Sequence, residues 1–161
     1  ILKGYIAVID KGQESFREII GEFLEASNHA GIDFGNAGCA AVHAMSYPLG
    51  GVYHVPHGEA NYQFFVEVFK YYKMKQPVGK IEQIENLFAS ILGCDKEQAF
   101  DELGNLLNNL LSLKPLREYG MKEEEIEGFA DSVLVSQQRL LGNNYVPFSR
   151  EDLVTIYSNL Y

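Results

Sequence analysis

Three of the four histidines in this 161-residue sequence, His43, His54 and His57, fall in one stretch, GNAGCAAVHAMSYPLGGVYHVPHGEA, from Gly35 to Ala60. Neutral imidazole is the commonest protein ligand for zinc, iron and nickel. Two imidazoles meet on one ion only if the chain between them doubles back, and this stretch has residues suited to that. Gly35 to Tyr47 reads as a helix rich in small residues, and Pro48, Gly50 and Gly51 read as its stop. Val52 to Val55 reads as an extended return of roughly 3.3 Å per residue, which delivers His57 beside His43. Pro56 fixes the approach to His57, Gly58 permits close passage of the backbone, and the next helix opens near Glu59. A helix N-terminus at that point favours an oxyanion next to the cation. The competing reading makes each histidine a half-buried polar residue near a helix end, with one nitrogen hydrogen-bonded. Two histidines also leave a catalytic site short, since such sites take three or more protein ligands and an open position. The chain shows no second cluster of ligand residues.

The elements that must hold these histidines are helical throughout. Phe16, Ile19, Ile20, Phe23 and Leu24 repeat at i, i+3, i+4, i+7, i+8 and predict a core-facing helix from Glu14 to Asn28, ended by Gly31. The Gly- and Ala-rich helix belongs at the packed centre, where neighbours approach closely. Glu59 to Tyr72 presents Phe64, Phe65, Val68 and Phe69 to the core. Ile81, Ile84, Leu87, Phe88 and Ile91 mark a helix that stops at Gly93. Ala99, Leu103, Leu106, Leu107 and Leu110 mark the next, closed by Pro115. A helix from Glu123 to Leu141 begins with acidic residues that suit its dipole, and Ser149 with Asp152 forms a capping box opening a last helix towards Leu160. No repeat, linker or low-complexity run divides the chain. The expected fold is all-α, one helical bundle-like domain over residues 1–161.

Composition narrows the function classes. A net charge of −9 and a pI near 4.9 exclude sequence-independent nucleic-acid binding, which relies on clustered Lys and Arg. An anionic substrate would need a local positive charge, which a bound cation supplies. A chain of this length buries about 70% of its unfolded surface and needs no staples. Cys39 and Cys94 therefore read as free thiols in a reducing cytoplasm. The apolar residues Ile1 to Ile9 are too few and too interrupted for a signal segment, and no run reaches the ~20 residues of a membrane helix. The expectation is a cytoplasmic, unanchored protein.

The succession of small residues, His43, a Pro/Gly turn and Pro56-His57-Gly58 resembles the signature of the iron-containing alcohol dehydrogenases. The segment AVHAMSYPLGGVYHVPHGEANYQFF is similar in particular to the branch that oxidises 4-hydroxybutyrate. The resemblance implies that His43 and His57 bind a catalytic divalent ion, Fe(II) or alternatively Zn(II). It also implies that an Asp and a His, four residues apart on an earlier helix, complete the ligand set. No Asp-x-x-x-His occurs before Gly35 in this sequence. It likewise implies an α/β domain for NAD(P) ahead of the helical domain, and no GxGxxG or strand with a glycine-rich phosphate turn occurs here. The expectation is a C-terminal fragment, inactive alone, of a dehydrogenase that is a homo-oligomer at full length and interconverts 4-hydroxybutyrate and succinic semialdehyde. The alternatives are a butanol, propanediol or glycerol dehydrogenase on the same scaffold, and a non-catalytic helical binding module.

Four more residues have two readings. Tyr47, four after His43, stands where many members of that family have a histidine that assists proton transfer. A phenol, with a reference pKa near 10, is a poorer acid/base at neutral pH than imidazole, though it can still donate a hydrogen bond; plain packing is the alternative. His54 is a candidate for proton relay, or a surface residue. Phe34 matches a position that lines the substrate cleft in similar enzymes, and its neighbour Asp33 faces either cleft or solvent. Glu59 serves either as a carboxylate that orients His57 or as a residue stabilising the helix start. His29, near Gly31, reads as a dipole partner at its helix end.

Overall fold

The computed structural model describes residues 1–161, which form nine α-helices joined by short loops and 3₁₀ turns, with no strand. They are α1 (Leu2–Lys11), α2 (Phe16–Ala37), α3 (Ala41–Tyr53), α4 (His57–Lys75), α5 (Lys80–Leu92), α6 (Ala99–Leu110), α7 (Ile126–Ser136), α8 (Gln138–Leu141) and α9 (Arg150–Leu160). The all-α expectation is met. No helix is long and apolar enough to cross a membrane. The Cα positions gather into two compact units, Ile1–Gly38 with Gln83–Ser112, and Cys39–Glu82 with Leu113–Tyr161.

The second unit is built around α3, which packs on α4, α7 and α8. Ala41, Ala44, Met45 and Leu49 recur on one helical face and are all buried. Phe64 and Val68 of α4, Ala130 and Val133 of α7, and Leu153, Ile156 and Tyr157 of α9 close the core around them. Burying the larger of these side chains contributes roughly 1.5–3 kcal/mol apiece.

The path of α3 corrects the sequence reading. The helix does not stop at Pro48, Gly50 and Gly51; it continues to Tyr53 and ends at His54, whose backbone is left-handed at φ 56, ψ 28. Val52 and Tyr53 are therefore helical, and no extended segment runs from Val52 to Val55. Pro48 cannot donate to the carbonyl one turn back, and an interior proline costs a helix about 3 kcal/mol. The four buried apolar side chains of the same helix offset that, a case of tertiary packing overriding local propensity. The small-residue segment is also divided. Gly35–Ala37 belong to α2, which runs through Gly31 and ends at Gly38 with φ 80, while α3 starts afresh at Ala41.

In the first unit α1 packs on α2 and α6. A Cβ on Gly4 would come within 2.5 Å of the Phe23 ring, so the bare glycine permits the approach of α1 to α2. Tyr5 and Phe16 flank Phe23, each 5.3 Å between centroids. The stripe expected to be core is not buried in this chain: Phe16, Ile20 and Leu24 are 38%, 45% and 67% exposed. Helical spacing identifies an apolar face, and the face needs a partner to be covered. The boundaries of α5 at Gly93 (φ 70) and of α6 at Ala99 and Leu110 agree with expectation. So does the capping box of α9, where the Ser149 N–H donates 2.7 Å to Asp152 Oδ2. The long helix expected from Glu123 to Leu141 is divided into a 3₁₀ turn at Glu123–Glu125, α7 and α8, with the break at Gln137.

Candidate metal centre

His43 stands in the first turn of α3, so its position depends on how that helix begins. The residue before the helix is Ala40, whose side chain cannot cap it. The open N–H of Ala41 instead donates 2.7 Å to Oδ1 of Asn144, 103 residues later in the chain. Tyr72 donates 3.0 Å to the same oxygen, and the neighbouring Asn143 amide donates 3.0 Å to the Cys39 carbonyl. The helix start is capped across the fold, an arrangement with no local sequence signal.

His57 is the first residue of α4, delivered by the link His54, Val55, Pro56. From Ser46 to Tyr53 the chain climbs about 10 Å at 1.5 Å per residue. The short link then turns at His54, whose backbone is left-handed, and leads back along the helix. Val55 is buried, and its carbonyl runs so near α3 that a Cβ on Gly50 would lie 3.5 Å from it. As a result α4 starts beside the early turns of α3.

The consequence is that the rings of His43 and His57 lie 5.4 Å apart between centroids, inclined at 53°. His43 is half-buried, and burial holds its pKa below the ordinary histidine value, with the neighbouring His57 lowering it further. Both effects oppose an imidazolium at His43. What remains is a neutral imidazole with a lone pair, the form that binds a cation.

Further contacts join the two helices one turn beyond the histidines. Ser46, buried on α3, has its hydroxyl 3.0 Å from the His43 carbonyl and 2.6 Å from Asn61 Oδ1. The Asn61 amide nitrogen lies 2.9 Å from Nε2 of His57. Sequence reading missed Asn61; its only signal is its place four residues after His57, on the same helical face.

The carboxylate considered for orienting His57 is engaged elsewhere. Glu59 accepts 2.7 Å from the hydroxyl of Tyr119, which in turn accepts 2.8 Å from the Gln63 amide. Burial first, and then the bond to Glu59, push the Tyr119 hydroxyl up to about 12. Tyr47 lies one turn after His43 and is 46% exposed. His54 is exposed and closes α3. Phe34 lies on α2, in the first unit, 58% exposed, and Asp33 beside it is exposed too. No hydrogen bond or ring contact joins Tyr47 or His54 to the histidine pair. No group of three or more His, Cys, Asp or Glu converges anywhere in the chain. The pair offers two imidazole nitrogens, a ligand type that suits a borderline cation such as iron or zinc.

Comparison with known proteins identifies the family. Residues 1–161 match the family model described as Fe-containing alcohol dehydrogenase family, C-terminal. The chain is 63% identical over 161 residues to the 4-hydroxybutyrate dehydrogenase of Clostridium kluyveri, covering 100% of this chain and 43% of that protein. It is 32% identical over 113 residues to the 1,3-propanediol dehydrogenase of Klebsiella pneumoniae, covering 68% and 29%. An alcohol dehydrogenase from Oenococcus oeni shares the fold over 99% of this chain and 44% of its own, with a TM-score of 0.72 at 22% identity. An archaeal halo-thermophilic alcohol dehydrogenase from a Red Sea brine pool, solved bound to NZQ, superposes over 77% and 33% with a TM-score of 0.67 at 26% identity. The chain thus spans less than half the length of these relatives.

Proposed function

This chain belongs to the Fe-containing alcohol dehydrogenase family, and from that premise we propose that it forms the helical metal- and substrate-binding domain of an NAD(P)-linked dehydrogenase interconverting 4-hydroxybutyrate and succinic semialdehyde. The observation that carries the reading is the convergence of His43 and His57 at 5.4 Å, in a chain 63% identical to a 4-hydroxybutyrate dehydrogenase. His43 and His57 would hold Fe(II), with Zn(II) as the alternative occupant, and the remaining ligands and most of the NAD(P) site would come from outside these residues.

The ion supplies a Lewis acid for the substrate oxygen, and NAD(P) supplies the hydride acceptor. The chain's own residues bind and orient. His43 offers an unprotonated nitrogen because burial and His57 oppose its charging. His57 opens α4, which brings its ring beside that of His43. Tyr47, one turn after His43 on α3, is the candidate donor of a hydrogen bond to a substrate oxygen. His54, on the surface at the end of α3, is the candidate for exchanging protons with solvent. Phe34 is the candidate for an apolar wall of the substrate cleft.

The test is NAD(P)-linked turnover by the full-length enzyme reconstituted with Fe(II), on 4-hydroxybutyrate, butanol, 1,3-propanediol and glycerol. The highest kcat/KM is expected for 4-hydroxybutyrate, and chelation should abolish it. A preference for an uncharged alcohol would shift the substrate assignment, and turnover that survives chelation would remove the metal from the account.

A further inference from the structure

The contacts between Ser46, Asn61 and His57 contain a constraint on where protons sit. The Ser46 hydroxyl has one proton and two oxygens in range, the His43 carbonyl at 3.0 Å and Asn61 Oδ1 at 2.6 Å. Oδ1 of Asn61 is the amide atom that faces the hydroxyl, so Ser46 donates to it. The amide nitrogen of Asn61 is then the atom 2.9 Å from His57 Nε2. An amide nitrogen only donates, so Nε2 of His57 must be the acceptor, and the proton of the neutral ring must sit on Nδ1.

We propose that Asn61, held by Ser46, is the positioning residue for His57: its N–H occupies the Nε2 lone pair in the metal-free protein, keeping that nitrogen unprotonated until a cation takes its place. The inference rests on reading His57 as a ligand. Ser46 is buried on α3, three residues after His43. Asn61 lies one turn after His57 on α4. The helix that carries one ligand thereby sets the proton position of the other. A metal-binding histidine is normally fixed through its other ring nitrogen; here the metal-free ring is fixed through Nε2 itself, by a neutral donor that an ion can displace.

The experiment is long-range proton–nitrogen NMR on full-length, metal-free protein labelled with 15N-histidine, at roughly pH 8, above the reference imidazole value. Loss of signal in His57→Gln identifies the resonances. The wild type should show His57 protonated at Nδ1 and bare at Nε2. Asn61→Leu should draw the two nitrogens towards a tautomer average, and Ser46→Ala should move them the same way. Asn61→Asp, nearly isosteric, should invert the pattern, because a carboxylate can only accept, so that Nε2 must carry the proton and donate it in a hydrogen bond. A wild-type ring protonated at Nε2 would overturn the proposal, and so would His57 signals that ignore both Asn61 variants. Zn(II) titration of wild type and His57→Gln separates the two layers. If the tautomer follows Asn61 but Zn(II) affinity does not depend on His57, the ligand reading falls and Asn61 keeps its positioning role. If Zn(II) binding weakens at least tenfold in His57→Gln while the tautomer ignores Asn61, the ligand reading stands and this inference falls.

Discussion

The hydroxyl of Tyr157, fully buried on α9, donates a 2.7 Å hydrogen bond to the carbonyl of Met45 in the middle of α3. The last helix of the chain is thus tied to the helix that carries His43, two residues from that histidine. Burial pushes the Tyr157 hydroxyl far up, so it remains a donor across the working pH range. Tyr157→Phe keeps the ring packed against Phe64, 5.3 Å away edge-on, and removes only the donor. Urea unfolding should report a loss of about 1 kcal/mol, the usual net value of one intramolecular hydrogen bond.

Asp152 makes stability depend on acid pH. Burial by itself raises its carboxyl, but the Lys75 ammonium, the Ser149 N–H and the Tyr71 hydroxyl outweigh that and hold it below the usual aspartate range. The folded value lies below the unfolded one, so the unfolded chain takes up the proton first. The contribution is complete above the unfolded value of about 3.9 and is lost as pH falls through the folded value. Asp152→Asn should cost roughly 1–2 kcal/mol at neutral pH and flatten the acid limb of a plot of Tm against pH. An unchanged acid limb would mean that another carboxylate sets it.

His54 is the only non-glycine residue with positive φ. His54→Gly or His54→Asn fits that geometry and should leave Tm close to that of the wild type. His54→Val, with a branched Cβ, should lose about 1–2 kcal/mol. Equal Tm values across the series would remove the backbone role of this residue.

Tyr47 tests the site rather than the fold. Its side chain is half-exposed, so Tyr47→Phe should leave stability within about 0.5 kcal/mol. Loss of a hydrogen bond to the reacting oxygen should lower kcat of the full-length enzyme by about 10- to 100-fold. A kcat within twofold of wild type would assign the hydroxyl to solvent.

Much of this was legible in the residues because the signals were local. Gly93 ends α5, Ala99 and Leu110 bound α6, and Ser149 with Asp152 opens α9, each through contacts within a few residues. The histidine pair was legible in part, since the stretch between the two holds residues suited to a reversal and the resemblance implied that both bind one ion. How it reverses was not. Pro48, Gly50 and Gly51 are breakers on any local scale, yet α3 runs through them because its buried face is stabilised by α4, α7 and α8.

The sequence by itself determined an all-helical chain with two histidines brought together by a reversal. Tertiary structure alone decided that Asn144 caps α3 from across the fold, that Glu59 serves Tyr119, and that Asn61 rests on His57. Helix ends and apolar stripes are properties of neighbours along the chain, which spacing reveals. The partner of a polar group is decided by which helix packs against which, and residues 103 positions apart meet only after the core has formed.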